Sequence, residues 1–430
     1  MRRELERPTE RGCERVVLCQ IGLSSTPVRD AITIHRVIPI QPESYRWSPQ
    51  GSAWDPKITA IVSGEAAELR LGTMVVHSHG HSPNPTLSPI DRASFERLLV
   101  PLKIIAPDGP HASIVLGAGQ SVGGLAWIPD KGIVPVVGAM WIDSPIRVWP
   151  GRKVPPRASA PVYDRQKLLI GEYGQGVLKQ ARLGIVGLGG GGSIVAQQVI
   201  RAGFGTVVSV DNDIVEDTNR SRMAECRISD TGKSKTEVIA RIATDANPEV
   251  KTISIKERFP SERGIDALKL CDVIVACVDS FTSRSELIRF SWRHLIPLVD
   301  IGIGTQVEEP GTVKRLRAIA GHVHVYLPGG PCMFCTGLLS QEKIEIETGG
   351  RPEYARGTRN PGQMMSFNGV VSSLAVIEAI QLVTGVLIGV NRPRFLQYDG
   401  MSSSLYSIDA ERDPSCPVCS GELGMGDPKW

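Results

Sequence analysis

Long uncharged apolar runs are missing from this 430-residue sequence. The greasiest stretch, Gly369–Val390, carries Glu378 and Gln381, which suits a helix in a domain core better than one in lipid. An apolar leader is missing too: the opening MRRELERPTERGCER is charged where a signal peptide is greasy. Charge excess is small, 48 Lys and Arg against 45 Asp and Glu for a net +3, with no basic block. Neither nucleic acid nor a membrane is therefore expected as a partner. There is no internal repeat and no low-complexity tract. Cysteines number nine, an odd total that includes two CxxC pairs, which fits a metal site in a reducing compartment better than disulfides. The cytoplasm is the expected location.

What is present is ample for a globular protein. Hydrophobic residues make up 41% and charged ones 22%, and the length calls for two domains. Ile142–Pro161, IDSPIRVWPGRKVPPRASAP, is Pro-rich and basic with no hydrophobic period, so it reads as a linker. The expected division is a domain over 1–145, a linker over 146–160 and a domain over 161–430.

The second part is organised around Leu183–Asp213, LGIVGLGGGGSIVAQQVIRAGFGTVVSVDND. It reads strand, glycine turn, helix, strand, carboxylate. Gly187, Gly189 and Gly192 fall in the GxGxxG register, and Gly190 and Gly191 thicken the turn. Such a turn lets backbone N–H groups approach a phosphate, with the helix dipole adding to the attraction. Asp211 follows at the distance where a carboxylate reaches a ribose hydroxyl. A polar segment then carries Asp213, Asn219, Arg222 and Lys235. Within it Gly232-Lys233-Ser234 imitates the end of a P-loop, but Arg227 stands where the first glycine belongs. A further apolar strand, Asp272–Val278, ends at Asp279. In a doubly wound α/β sheet that end faces the same crevice as the glycine turn, where a carboxylate can hold Mg2+ against triphosphate oxygens. Capping the strand end is the plainer role for Asp279.

Cys332-x-x-Cys335 and Cys416-x-x-Cys419 lie 80 residues apart. Together they offer four thiolates for a closed tetrahedral zinc site that staples the C-terminus to its domain. A redox role for Cys416-Pro417-Val418-Cys419 is the alternative, but the motif opens no βαβ unit.

In the first part, Ala31–Ile40 reads as a strand, Asp55–Leu69 as a helix and Leu71–His79 as a strand. His77 and His79 are two apart, so both imidazoles leave the strand on one face. With Asp91 they offer three ligands to a zinc that keeps a fourth position for water, which ionises near neutral pH and attacks a carbonyl. Ser88 could donate to the resulting oxyanion. Ser88-Pro89-Ile90-Asp91 is equally a good helix start, with Ser as N-cap and acid at the third position.

The combination His77-x-His79 … Ser88-x-x-Asp91 resembles the JAMM (JAB/MPN) metalloproteases, which cleave peptide or isopeptide bonds next to ubiquitin-like proteins. That likeness implies an α+β domain and a glutamate general base. Glu14, in ERVVLCQIGL, fits that role best and Glu65 is its competitor. Gly80 stands where the family has proline, and His81 reads as a loop residue.

From Pro161 to Ser420 the chain resembles the ThiF/MoeB/E1 adenylating enzymes, which are Rossmann-like. The motifs are Tyr163-x-Arg165-Gln166, the glycine loop, Asp211-x-Asp213, Asn219-x-x-Arg222, Gly232-x-x-Lys235, Asp279 and the cysteine pairs. The likeness implies that Asp211 binds ribose, that Asn219, Arg222 and Lys235 meet the ATP phosphates, and that Asp279 positions Mg2+. It implies that Arg165 reaches into the other half of a homodimer. Members that form a thioester carry a cysteine after the first CxxC pair, yet Thr336–Ser415 has none. Hydroxyls such as Thr358 and Ser366 are poor substitutes without an activating base. Cys226 reads as a buried structural cysteine. The expected protein is a two-headed enzyme for a ubiquitin-like, β-grasp protein with a C-terminal glycine. One head adenylates that glycine and the other cleaves after it, with an E2-like protein as a possible acceptor. Such a fusion would suit a bacterial conjugation system, antiphage systems included. The rival reading is activation of a sulfur carrier to a thiocarboxylate.

Overall fold

The computed structural model describes residues 15–48, 51–79, 82–118, 121–142, 145–149, 160–308, 314–349, 362–387 and 393–427. Glu14, Gly80, His81 and Thr358 lie outside them. Two compact units result: Met1–Trp141 with Arg147–Arg152 and Glu422–Trp430, and Ile142–Ile146 with Lys153–Gly421. The tail therefore differs from the sequence-based division, which put everything after 161 in the second domain.

The first unit runs β1 (Val16–Ser25), β2 (Asp30–Pro39), β3 (Tyr45–Ser48), β4 (Gly51–Trp54), α1 (Pro56–Glu68), β5 (Gly72–Ser78), α2 (Pro89–Ile105), β6 (His111–Leu116), β7 (Val122–Ile128), β8 (Gly132–Pro135), β9 (Ala139–Trp141) and β10 (Arg147–Trp149). Its main sheet has the order β2-β1-β5-β6-β7-β8. Only β5 and β6 pair in parallel, across the α2 connection, and the other neighbours are antiparallel. Alternate residues of β1 face two cores: Val17, Cys19 and Ile21 pack with Met74 and Val76, while Val16 and Leu18 pack with Val62 and Val75. A strand buried on both faces reads as an unbroken apolar run. The tail closes this unit: Gly426 bridges Leu23 in parallel, and Thr33 Oγ1 donates to Gly424 O at 2.8 Å. Gly424 is required there, because its φ is +65° and a Cβ would meet Ile34 O at 2.1 Å.

The second unit contains α3 (Asp164–Gln180), β11 (Arg182–Val186), α4 (Gly190–Ala202), β12 (Thr206–Val210), α5 (Lys235–Ala246), β13 (Lys251–Ile255), α6 (Glu262–Leu268), β14 (Val273–Ala276) and α7 (Phe281–His294). There follow β15 (Leu298–Glu308), β16 (Arg315–Tyr326), α8 (Gln341–Gly349), α9 (Met365–Thr384), β17 (Phe395–Asp399), β18 (Ser404–Ser407) and α10 (Pro417–Gly421). The sheet order is β13-β12-β11-β14-β15-β16-β17-β18. The first five strands are parallel and the rest antiparallel. Strand order reverses between β11 and β14, so the crevice at their carboxyl ends is the natural ligand site. Helix α9 is long and apolar enough to cross a membrane by composition, yet it packs on α4, β15 and β16. Glu378 and Gln381 are themselves buried there. The helix stops at Gly385, whose φ of +69° makes the left-handed cap.

Candidate active site

The glycine turn sits between the ends of β11 and β14. Gly187 has a φ of +86° and donates to Val210 O at 3.0 Å. A Cβ there would meet Cys277 O at 2.7 Å, and one on Gly192 would meet Gly187 O at 1.9 Å. Both positions therefore exclude a side chain. Gly189 is the N-cap of α4, whose first amides point out of the helix start.

Asp211 ends β12 against this turn. Its Oδ2 accepts from Leu188 N at 2.6 Å and its Oδ1 from Asp213 N at 2.8 Å. Burial pushes its pKa up, with Lys235 opposing. The carboxylate is thus fixed in direction by two backbone donors and keeps lone pairs for a ribose. Lys235 opens α5; its Nζ lies 2.6 Å from Asp213 Oδ2 and its side chain is about nine-tenths buried. An incoming phosphate would share that ammonium with Asp213. Asn219 is buried and caps its own turn, accepting from Glu216 N at 3.1 Å, and Arg222 Nη1 donates to Thr218 O at 3.0 Å. These two therefore hold the loop between Asp213 and Lys235 in its shape. Asp279 is exposed beyond β14, a hard oxygen donor suited to Mg2+. Arg165 is exposed on α3. The false P-loop is no cradle: Lys233 Nζ lies 3.2 Å from Asp230 Oδ1, and Gly232 N donates to Val215 O.

Three features here have no local signature in the sequence. Asp300, fully buried, is held by Arg284 Nε at 3.1 Å and His322 Nε2 at 2.6 Å. Burial works to raise its pKa, but Arg284 and then His322 outweigh it and keep the carboxyl low. Glu347 of α8 receives Phe281 N at 3.0 Å and Thr282 N at 2.8 Å, tying α8 to the start of α7. Asn368 of α9 lies over the glycine turn.

The four cysteines converge. Cys332 Sγ is 3.8 Å from Cys335 Sγ and 3.5 Å from Cys416 Sγ, and Cys335 Sγ is 3.6 Å from Cys419 Sγ. A disulfide would bring sulfurs to about 2.05 Å. A tetrahedron with Zn–S of about 2.3 Å has edges of about 3.8 Å. The spacing matches the tetrahedron. A hydrogen bond with Cys419 and burial push the Cys332 thiol up, so four thiolates require a cation among them. Cys226 is half-buried rather than buried, and burial and Asp230 raise its thiol, leaving it protonated and a weak nucleophile. Ser366 is exposed at the start of α9.

In the first unit, His77, His79 and Asp91 also converge. Nε2 of His77 and Nε2 of His79 are 3.1 Å apart, and each is 3.5 Å from an Asp91 oxygen. Ligand edges for tetrahedral zinc at about 2.0–2.1 Å are about 3.3–3.4 Å. Burial lowers the His77 pKa, and repulsion from His79 adds to it against Asp91. Burial works to raise Asp91, but hydrogen bonds from Ser88 and the two imidazoles hold it low. Neutral imidazole and ionised carboxylate are the ligand forms. Ser88 is indeed the N-cap of α2, its Oγ accepting from Asp91 N while Ser88 N donates to Asp91 Oδ2 at 2.9 Å. The cap aims Asp91 and occupies a lone pair of the Ser88 hydroxyl, not its proton, so the capping reading holds and does not by itself exclude a donor role. Glu65 is placed elsewhere: it accepts from Gln20 Nε2 and Arg36 Nη1, both at 3.3 Å. Gln20 pairs with Thr73 while Val16 pairs with His77, so the backbone of Gln20, whose side chain holds Glu65, is offset by about 13 Å along the strand from His77.

Comparison with known proteins bears on the second unit. Residues 163–418 match the model of the ThiF family. The "Sulfur carrier protein ThiS adenylyltransferase" of Escherichia coli is 29% identical over 263 residues, covering 60% of this chain and 94% of that protein. The "Sulfur carrier protein adenylyltransferase" of Thermus thermophilus is 31% identical over 267 residues, covering 60% and 90%. The "SAMP-activating enzyme E1" of Haloferax volcanii is 29% identical over 259 residues, covering 60% and 86%. Among solved structures, E. coli MccB with MccA-N7isoASN superposes with a TM-score of 0.51 at 21% identity, over 62% of this chain and 77% of that one, a likeness of fold. The glycine turn, the acids at the ends of β12 and β14 and three of the four cysteines fall inside the matched span, and Cys419 lies one residue beyond it. The chain belongs to the ThiF family.

Proposed function

We propose that the second unit adenylylates the C-terminal carboxylate of a small, glycine-ended carrier protein of the β-grasp type. The observation that carries this is the single crevice at which the glycine turn, Asp211, the Lys235–Asp213 pair and the Asp279 loop meet, in a chain of the ThiF family. Asp211 would orient the ribose, and the α4 amides and Lys235 would neutralise the phosphates. Mg2+, held by Asp279, would offset charge on the leaving pyrophosphate. A carboxylate oxygen attacks the α-phosphorus, the bond to the bridging oxygen breaks, and pyrophosphate leaves with its electron pair. The attacking group is already ionised, so no general base is needed.

The relatives named for sulfur carriers, and the lack of cysteine from 336 to 415, favour a thiocarboxylate as the product over a conjugate. The adenylate would pass directly to a sulfur donor. In the conjugation reading an E2-like protein takes its place. Arg165, exposed at the start of α3, would complete the phosphate site of a second copy in a homodimer. ATP–pyrophosphate exchange with small glycine-ended proteins encoded beside the gene tests the reading. Exchange with none of them refutes it.

For the first unit we propose a zinc-dependent hydrolase acting on the same carrier's C-terminal peptide or isopeptide bond, on the strength of the His77, His79 and Asp91 spacing. Zinc would supply a hydroxide and Ser88 would donate to the oxyanion. Glu14 remains the candidate base. Cleavage of a carrier precursor by the full chain, lost on chelation, is the expected result.

A further inference from the structure

We propose that Asn368 is an additional phosphate-positioning residue, donating its side-chain amide to the nucleotide over the glycine turn. This rests on the nucleotide site proposed above. Helix α9 lies along the turn and presents Asn368 and Ser372, one helical turn apart, to Gly190 and Gly191. Ser372 Oγ is already spent, donating to Gly191 O at 3.1 Å. Asn368 is not: its Nδ2 is buried and has no hydrogen-bond partner among the described residues. The residue is 6% exposed. A Cβ on Gly190 would lie 2.4 Å from that nitrogen and 3.3 Å from Gln363 Oε1. The amide therefore stands directly over the first residue of α4.

A buried donor left unpaired is destabilising, and folded proteins keep few of them. This one stands at a helix start that already favours an anion through its dipole and outward amides. A phosphate oxygen is the chemical group that satisfies both. A neutral amide adds a directed donor without a further cation beside Lys235. Gly190 then serves two ends: it frees the backbone for the phosphate and makes room for the amide, since any side chain there would strike Nδ2.

The test uses the full chain and the Mg2+ complex of the α,β-methylene analogue of ATP, titrated calorimetrically, with adenosine as the phosphate-free probe. Asn368→Leu removes the donor at similar volume, and Asn368→Asp replaces it with an acceptor. A hydrogen bond to a charged group predicts about tenfold or greater weakening of analogue binding for Asn368→Leu. Asn368→Asp weakens it further, and adenosine binding is unchanged in both. If either variant fails to fold, the other decides. Analogue binding equal to wild type in the folded variants overturns the proposal, as does an equal loss for adenosine. Failure of the wild type to bind the analogue overturns the nucleotide site itself, a distinct outcome.

Discussion

Replacing Cys416 with serine removes one corner of the sulfur tetrahedron, and its effect follows from where that corner lies. Cys416 Sγ is 3.5 Å from Cys332 Sγ across a gap of about 80 residues of chain. A cross-link closing a loop of that length lowers the entropy of the unfolded chain by about 4–5 kcal/mol at 25 °C on the loop-closure model. The Cys416→Ser protein is expected to be destabilised by that order. For a domain of this size that is a fall in melting temperature of about 10–15 °C. The loss should coincide with a fall in bound zinc of one per chain, read by elemental analysis beside calorimetry. Both effects should be insensitive to reductant, because sulfurs 3.5–3.8 Å apart are not disulfide-bonded. Zinc content unchanged in Cys416→Ser, or a melting temperature that falls with dithiothreitol in the wild type, would refute the staple.

His79→Ala should remove the other zinc and abolish precursor cleavage while leaving pyrophosphate exchange near wild type; retained cleavage contradicts the hydrolase reading. Asp211→Asn keeps the shape but turns one acceptor into a donor facing Leu188 N or Asp213 N. It should raise KM for ATP about tenfold or more in exchange assays, and an unchanged KM removes Asp211 from the ribose. His324 is buried between Tyr326 and Gln397, and burial, then repulsion from His322, pushes its pKa down to about 3. The unfolded chain binds that proton from about pH 6.5 downward. Stability should therefore fall as pH drops from 6.5 toward 3, by up to about 1.4 kcal/mol per pH unit. His324→Gln should flatten the slope, and an identical slope in the variant would show that other groups set it.

What the sequence made legible was local. The GxGxxG spacing, the acid after β12, Ser88 with Asp91 at a helix start, and the two CxxC turns are short-range patterns. Each folds where its own residues dictate. The apolar run from Gly369 was read correctly as a helix packed in a domain, because Glu378 and Gln381 point to buried polar partners. What stayed hidden depends on residues far apart in the chain. Nothing near Asp300 foretells Arg284 and His322, and nothing near Ser280 foretells Glu347 at the start of α7. Glu65 looked available because it is an acid near the histidines in sequence. Strand register, which periodicity leaves undetermined, sets its partner Gln20 four residues along the sheet from the residue paired with His77. The return of Glu422–Asp427 to β1 and β2 was invisible for the same reason: the bonds that hold it, from Thr33, His35 and Ser25, join residues about 400 positions apart.

The most direct test of the account is ATP–pyrophosphate exchange by the wild type and Asp279→Ala, with a glycine-ended small protein as acyl substrate. The wild type should exchange only when that protein and Mg2+ are both present, and Asp279→Ala should lose exchange while cleaving the precursor as before. Exchange at the wild-type rate in Asp279→Ala, or no dependence on the C-terminal glycine, would contradict the assignment of the crevice beside Gly187 to carboxylate adenylylation.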